Sequence, residues 1–145
     1  MNADLRELID GLNEDLAHEY GAAIQYTYSA SVVSGLFRSA LKPFFEDEIN
    51  DEMGHALYLS EKIAALGGTP TTESAPVEQP TDVSDLLEAT LKAEQETIER
   101  YETRKKQAEA LGYTELVVKL EDIISDETHH KEEAERLLDD ARVRN

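Results

Sequence analysis

Asp51-Glu52-Met53-Gly54-His55-Ala56 and Asp126-Glu127-Thr128-His129-His130 share one element, Glu-x-x-His, and each is preceded at the same distance by another glutamate. Glu19 lies 33 residues before Glu52, and Glu94 lies 33 residues before Glu127. Glu and His three apart on a helix project from one face, so each motif offers an oxygen and a nitrogen ligand together. If each half of the chain is a helical hairpin, the equal spacing sets Glu19, Glu52, His55, Glu94, Glu127 and His130 at one height in a four-helix bundle. Four carboxylates and two imidazoles suit a pair of divalent transition metals, Fe, Mn or Zn, rather than Ca²⁺ or Mg²⁺.

Outward from these motifs, apolar residues recur at steps of three and four over four stretches, roughly 3–34, 39–66, 83–111 and 113–142. The first stripe reads Leu5, Leu8, Leu12, Leu16, Glu19, Ala23, Tyr26; the second reads Phe45, Ile49, Glu52, Ala56, Leu59, Ile63. The glutamates thus interrupt apolar stripes. A buried, unpaired carboxylate costs several kcal/mol, so four in one core demand compensation. Two M²⁺ ions would neutralise four carboxylates. Glu96 falls on the far side of its helix with Arg100 and Thr103 and is not a candidate.

Gly35 and Gly112 mark the two hairpin turns, with Pro43 at a first-turn position of the second helix. The stretch 68–82, GTPTTESAPVEQPTD, holds three of the four prolines and has no helical period. At ~3.3 Å per residue it can climb ~50 Å, enough to cross the whole bundle. The predicted fold is all-α: a four-helix bundle of two helical hairpins joined by one long crossover loop, in a single domain over 1–145.

The totals exclude several classes. With no cysteine, disulfides, zinc ribbons, thiol catalysis and thiolate-ligated iron are ruled out. Thirty-two acidic residues against 14 Lys and Arg give a formal charge of −18, which repels nucleic acid and favours cations. For most of these charges a solvated acidic face is the plain reading. No apolar run approaches a membrane span, and the opening MNADLRELID lacks the basic and apolar regions of a signal peptide. The expectation is a cytoplasmic protein that engages neither membrane nor nucleic acid.

DEMGHA at 51–56, Glu19 followed by Gln25-Tyr26, and DETHH at 126–130 resemble the corresponding helices of the ferritin-like di-iron carboxylate proteins, bacterioferritin most closely. The general arrangement, a Glu from each of two helices and Glu-x-x-His from each of the other two, is a known one. The resemblance implies Glu19 and His55 on one iron, Glu94 and His130 on the other, and Glu52 and Glu127 bridging. It implies oxidation of Fe(II) by O₂ or H₂O₂ at a centre within each subunit, for iron storage or detoxification. It implies that Tyr26 hydrogen-bonds a ligand or donates an electron. It also places Met53 where bacterioferritins carry the methionine that ligates haem b across a dimer interface. Tyr101 stands seven residues after Glu94 and is expected to be a packed core tyrosine. Asp47, Glu48 and Asp51 are expected on a solvated face, and His18 and His129 at the surface or behind the ligands.

Relatives that form cages continue into a short fifth helix, whereas this sequence runs 15 residues past His130. That counts against a 24-subunit cage, and the resemblance implies a homodimer or a larger homo-oligomer. One rival reading is a small dimeric di-iron oxidase or peroxidase with iron as a permanent cofactor. It would be a rubrerythrin-like bundle without the cysteine-dependent rubredoxin part. The other is a non-catalytic metal-binding bundle.

Overall fold

The computed structural model describes residues 1–140 and Val143. Among them are four α-helices and one 3₁₀ turn, and no strand: α1 (Ala3–Val32), the 3₁₀ turn (Gly35–Phe37), α2 (Arg38–Ala65), α3 (Val83–Ala110) and α4 (Thr114–Leu138). The bundle architecture is the one the stripes predict. α4 ends at Leu138 rather than near 142, and Arg142 itself lies outside the described residues.

Local chemistry sets the ends. The Asn2 side chain caps α1 by accepting the Leu5 N–H at 2.7 Å. α2 and α3 both stop in a Schellman turn with glycine in the left-handed region, Gly67 at φ 94° and Gly112 at φ 76°. Gly68 N–H donates to Ile63 O and Gly67 N–H to Ala64 O; Tyr113 N–H donates to Ala108 O and Gly112 N–H to Glu109 O. Pro43, expected in the first turn, lies five residues inside α2, because Arg38 already begins the helix. The carbonyl it leaves without a donor is that of Ser39, an exposed residue that water can reach.

α1 packs on α2 and α3 packs on α4, with α1 also against α3. Tyr26 pairs with Glu94, Glu19 with Tyr101, and Asp15 with Arg104, so α1 and α3 run antiparallel. Between the hairpins the loop climbs along α1. Asn13 holds Thr69 and Thr71, Ala75 N–H donates to Ala17 O, and the Tyr28 hydroxyl donates to Pro80 O.

The core is in two pieces. One cluster contains Leu8, Leu12, Leu16, Leu59, Ile63, Leu116 and Leu120; the other contains Val33, Leu41, Phe45, Leu86, Leu87 and Leu138. Each buried Leu or Phe contributes about 1.5–3 kcal/mol, so these clusters fix the helices' height and rotation. The glutamate layer lies along the helices between them.

Candidate metal centre

Each helix delivers its share at that layer: α1 Glu19, α2 Glu52 and His55, α3 Glu94, α4 Glu127 and His130. All six side chains are buried, His55 the most accessible at 8%. They form two overlapping sets, Glu19–Glu52–His55–Glu127 and Glu52–Glu94–Glu127–His130, each offering ligand atoms within 4.8 Å of one another. Glu52 and Glu127 belong to both. The sequence-predicted residues are thus brought together from all four helices.

Their polar atoms are poorly served by protein. Glu19 Oε2, Glu52 Oε1, Glu94 Oε2, Glu127 Oε1, His55 Nδ1 and His130 Nδ1 are all buried without a hydrogen-bond partner. His55 Nδ1 lies 3.1 Å from Glu127 Oε1, within ion-pair reach but without hydrogen-bond geometry. His130 Nδ1 stands 3.7 Å from both Glu52 and Glu127. One orphaned atom on each of six side chains is a costly arrangement for a core, and it suits a site that receives cations.

Without ions, protons do the balancing. Burial drives Glu52 and Glu94 well above the usual carboxylate range; Glu19 and Glu127 push Glu52 further, and Glu127 pushes Glu94. Burial would raise Glu127 too, but contacts from Glu94, His130, His55 and Glu52 hold it below that range. Burial alone would lower both imidazoles. Contacts with Glu127 and Glu19 instead raise His55 to about 11, and contacts with Glu127 and Glu48 raise His130 to about 10.

Around the six lies a shell that the sequence disclosed only in part. The Tyr26 hydroxyl donates to Glu94. Tyr101, expected to be plain core packing, does the same in mirror image, donating to Glu19 Oε1 at 2.5 Å. Each tyrosine follows one half's glutamate by seven residues and bonds the glutamate of the other half. Glu48, expected on a solvated face, is buried, with its carboxylate 2.5 Å from His130 Nε2. Asp51 is 3.3 Å from the same nitrogen, its side chain mostly exposed, and Asp126 is 3.1 Å from His55 Nε2. The available signal for Glu48 was its place one turn before Glu52 on the same helix face. For Asp126 there was no signal beyond adjacency to Glu127.

The remaining candidates stand apart. Met53 is 47% exposed, beside an outward groove with Ile24, Tyr20 and Tyr28. Asp47 and His129 are exposed, and His18 is half-buried beside a cavity between α1 and α3. Among the described residues no helix is long and apolar enough to cross a membrane.

The model of the ferritin-like domain matches residues 9–143. The bacterial ferritin of Neisseria meningitidis serogroup A is 30% identical over 136 residues, 91% of this chain and 88% of the relative. A ferritin-like, diiron-carboxylate protein from Bacillus anthracis str. Ames superposes with a TM-score of 0.95 at 61% identity, over 96% of this chain and all of that one. The bacterioferritin of Desulfovibrio desulfuricans, seen with its diiron site in different catalytic states, superposes at 0.86 with 28% identity, over 93% and 80% of the two chains.

Proposed function

The chain belongs to the ferritin-like domain family, and on that premise we propose that it oxidises Fe(II), using O₂ or H₂O₂, at a di-iron centre made by Glu19, Glu52, His55, Glu94, Glu127 and His130. The observation that carries this reading is the orphaned buried atom on each of the six, sorted into two four-residue sets that share Glu52 and Glu127. The donor chemistry fits: carboxylate and imidazole suit iron, and two divalent ions balance four carboxylates. The bacterioferritin and diiron-carboxylate relatives support the same choice.

Bound there, two ferrous ions give up one electron each, so that with two protons H₂O₂ becomes two waters, or O₂ becomes H₂O₂. The chain's part is to hold and orient. Asp126 accepts from the Nε2–H of His55, and the Glu48 carboxylate stands within ion-pair reach of His130 Nε2, which leaves each neutral ring's Nδ1 lone pair toward the carboxylates. Tyr101 and Tyr26 fix the rotation of Glu19 and Glu94.

Exposed Ile24, Met53 and Leu57 on the outward side of the first hairpin support a homodimer or larger homo-oligomer. The test is an anaerobic Fe(II) titration of chelator-treated protein, followed by mixing with oxidant. Saturation at two ions per chain, one for each set, and prompt oxidation are expected. Glu52→Ala removes a member of both sets and should lose the second ion and most of the turnover. If that variant binds and oxidises iron like the parent, the reading fails. Further aerobic uptake, followed on a sizing column, separates storage from detoxification.

A further inference from the structure

The two halves of the chain can be compared position by position. Glu19 and Glu94, Tyr26 and Tyr101, Glu52 and Glu127, and His55 and His130 are each 75 residues apart. Asp51, which lies against His130, and Asp126, which lies against His55, are 75 residues apart as well. Each ion-binding set therefore has a counterpart built from the same residue types, one with Glu19 and His55 and one with Glu94 and His130. Where the halves differ in charge close to the centre, one half is the control for the other.

The first difference lies behind the imidazoles. Glu48 is buried with its carboxylate 2.5 Å from His130 Nε2. Its counterpart is Ile123, also buried, which brings no charge. Among the described residues, Asp126 is the only acidic group outside the six within ion-pair reach of His55, and its side chain is 57% exposed. The second difference lies between α1 and α3, next to the Tyr101–Glu19 bond. Asp15, one turn before Glu19, meets Arg104 at 2.7 Å and Arg100 at 3.8 Å, and all three are largely buried. The corresponding group beside Tyr26 and Glu94 is uncharged: Thr90 stands for Asp15, Gln25 for Arg100 and Ser29 for Arg104. Asp15 offsets one guanidinium, which leaves a positive charge near Glu19. Exposed charges are largely screened by salt, whereas buried ones are screened much less.

Both differences favour the same end of the centre. A carboxylate behind a ligating imidazole raises its basicity toward a metal, and a nearby guanidinium repels a cation. From this comparison we propose that the two ion positions are unequal. The set with Glu94 and His130 takes the first divalent ion and retains it; the set with Glu19 and His55 takes the second and exchanges it. Glu48 and the Asp15–Arg100–Arg104 group set that order from outside the six side chains. The inference rests on the reading of the six as a di-iron centre, and gives that centre one resident ion and one exchangeable ion. Repulsion between two ions would separate the binding steps even at a symmetric centre. It would not choose between His55 and His130, and the surrounding charges make that choice.

A Zn²⁺ titration of chelator-treated protein, followed by calorimetry and by ring-nitrogen NMR of the histidines, reads the order without turnover. At one ion per chain the His130 Nδ1 signal should stand at its metal-bound position and that of His55 at its free position. The second step should be weaker by about tenfold or more. A chelator should strip the ions in the reverse order. Glu48→Gln keeps the shape and removes the charge, so the two steps should draw together and both rings should respond to the first ion. Ile123→Glu puts a carboxylate at the counterpart position and should narrow the gap by strengthening the His55 set. Thermal melting verifies that both variants fold. Three results overturn the inference: His55 responding before or together with His130 in the parent, a first response at His130 Nε2 instead of Nδ1, or an order and a gap untouched by Glu48→Gln. A parent that fills in this order and then leaves Fe(II) unoxidised by both O₂ and H₂O₂ defeats the ferroxidase reading alone.

Discussion

Tyr101 and Glu48 show how single residues set the centre and how far the sequence discloses them. The four glutamates were legible because they break apolar stripes, which has a recognisable cost, and the two histidines because each stands three residues after one of them. Tyr101 was hidden for the opposite reason. A tyrosine fits an apolar stripe, and only the structure shows its hydroxyl against Glu19. Replacing it by Phe keeps the packing but leaves a buried carboxylate oxygen without its donor. Tyr101→Phe should therefore destabilise the metal-free protein by about 1–3 kcal/mol in denaturant melts, and Tyr26→Phe should act alike through Glu94. Glu48 was hidden because acidic residues crowd this sequence and most are solvated. Its carboxylate against His130 Nε2 holds the ring orientation that presents Nδ1 to the centre. Glu48→Gln should weaken divalent-metal affinity by about 10–100-fold while leaving the number of ions bound unchanged. A calorimetric Co²⁺ titration with parent-like affinity in that variant would remove Glu48 from the shell.

Among the elements, α1 and α3 are joined by an ion pair that no sequence pattern announced. Asp15 and Arg104 are both buried, with Arg104 Nε 2.7 Å from Asp15 Oδ2. Burial raises the Asp15 carboxyl and the charge of Arg104 pulls it back in part. The pair is accommodated by Gly11, where an added Cβ would meet Arg104 Nη1 at 1.9 Å. In an exposed helix, Gly→Ala gains about 1 kcal/mol of propensity. Here the methyl displaces a guanidinium that has little free space, and breaking a buried pair costs about 3–5 kcal/mol. The loss wins, so Gly11→Ala should destabilise the protein by about 2–4 kcal/mol, read as a lower denaturant midpoint. A gain in stability would mean that Arg104 swings clear without cost. Helix existence and pairing were legible from periodicity, and the two hairpin turns from Gly35 and Gly112 between the stripes. Pro43 was assigned to a first turn because proline usually starts helices. The exposed Ser39 carbonyl is the tertiary fact that lets it sit deeper.

At the scale of the whole molecule, metal, protons and stability are linked, and the sign can be worked out. In the metal-free fold His55 and His130 are raised from 6.5 to about 11 and about 10, and Glu52 and Glu94 are raised well above 4.5. A raised pKa stabilises the fold below the unfolded value and loses that contribution as pH climbs through the folded one. Both pairs therefore act in one direction from near neutral pH upward. Glu127 is depressed, so its contribution is present above 4.5 and does not change across that window. The folded metal-free chain holds more protons than the unfolded one. Its stability should fall with rising pH by about 1.4 kcal/mol per pH unit for each extra proton retained. Metal ions take the place of those protons, so loading near neutral pH should release at least the two imidazolium protons of His55 and His130, and metal affinity should rise with pH. Since ions bind the folded state, they also stabilise it by mass action. Thermal melts of chelated and Zn²⁺-loaded protein from about pH 6 to 9 should diverge, the chelated curve falling while the loaded one holds. Calorimetric heats of Zn²⁺ binding should track the ionisation enthalpy of the buffer. Parallel melting curves and buffer-independent heats would mean that the six side chains do not carry these protons, and that the centre's charge is balanced in some other way.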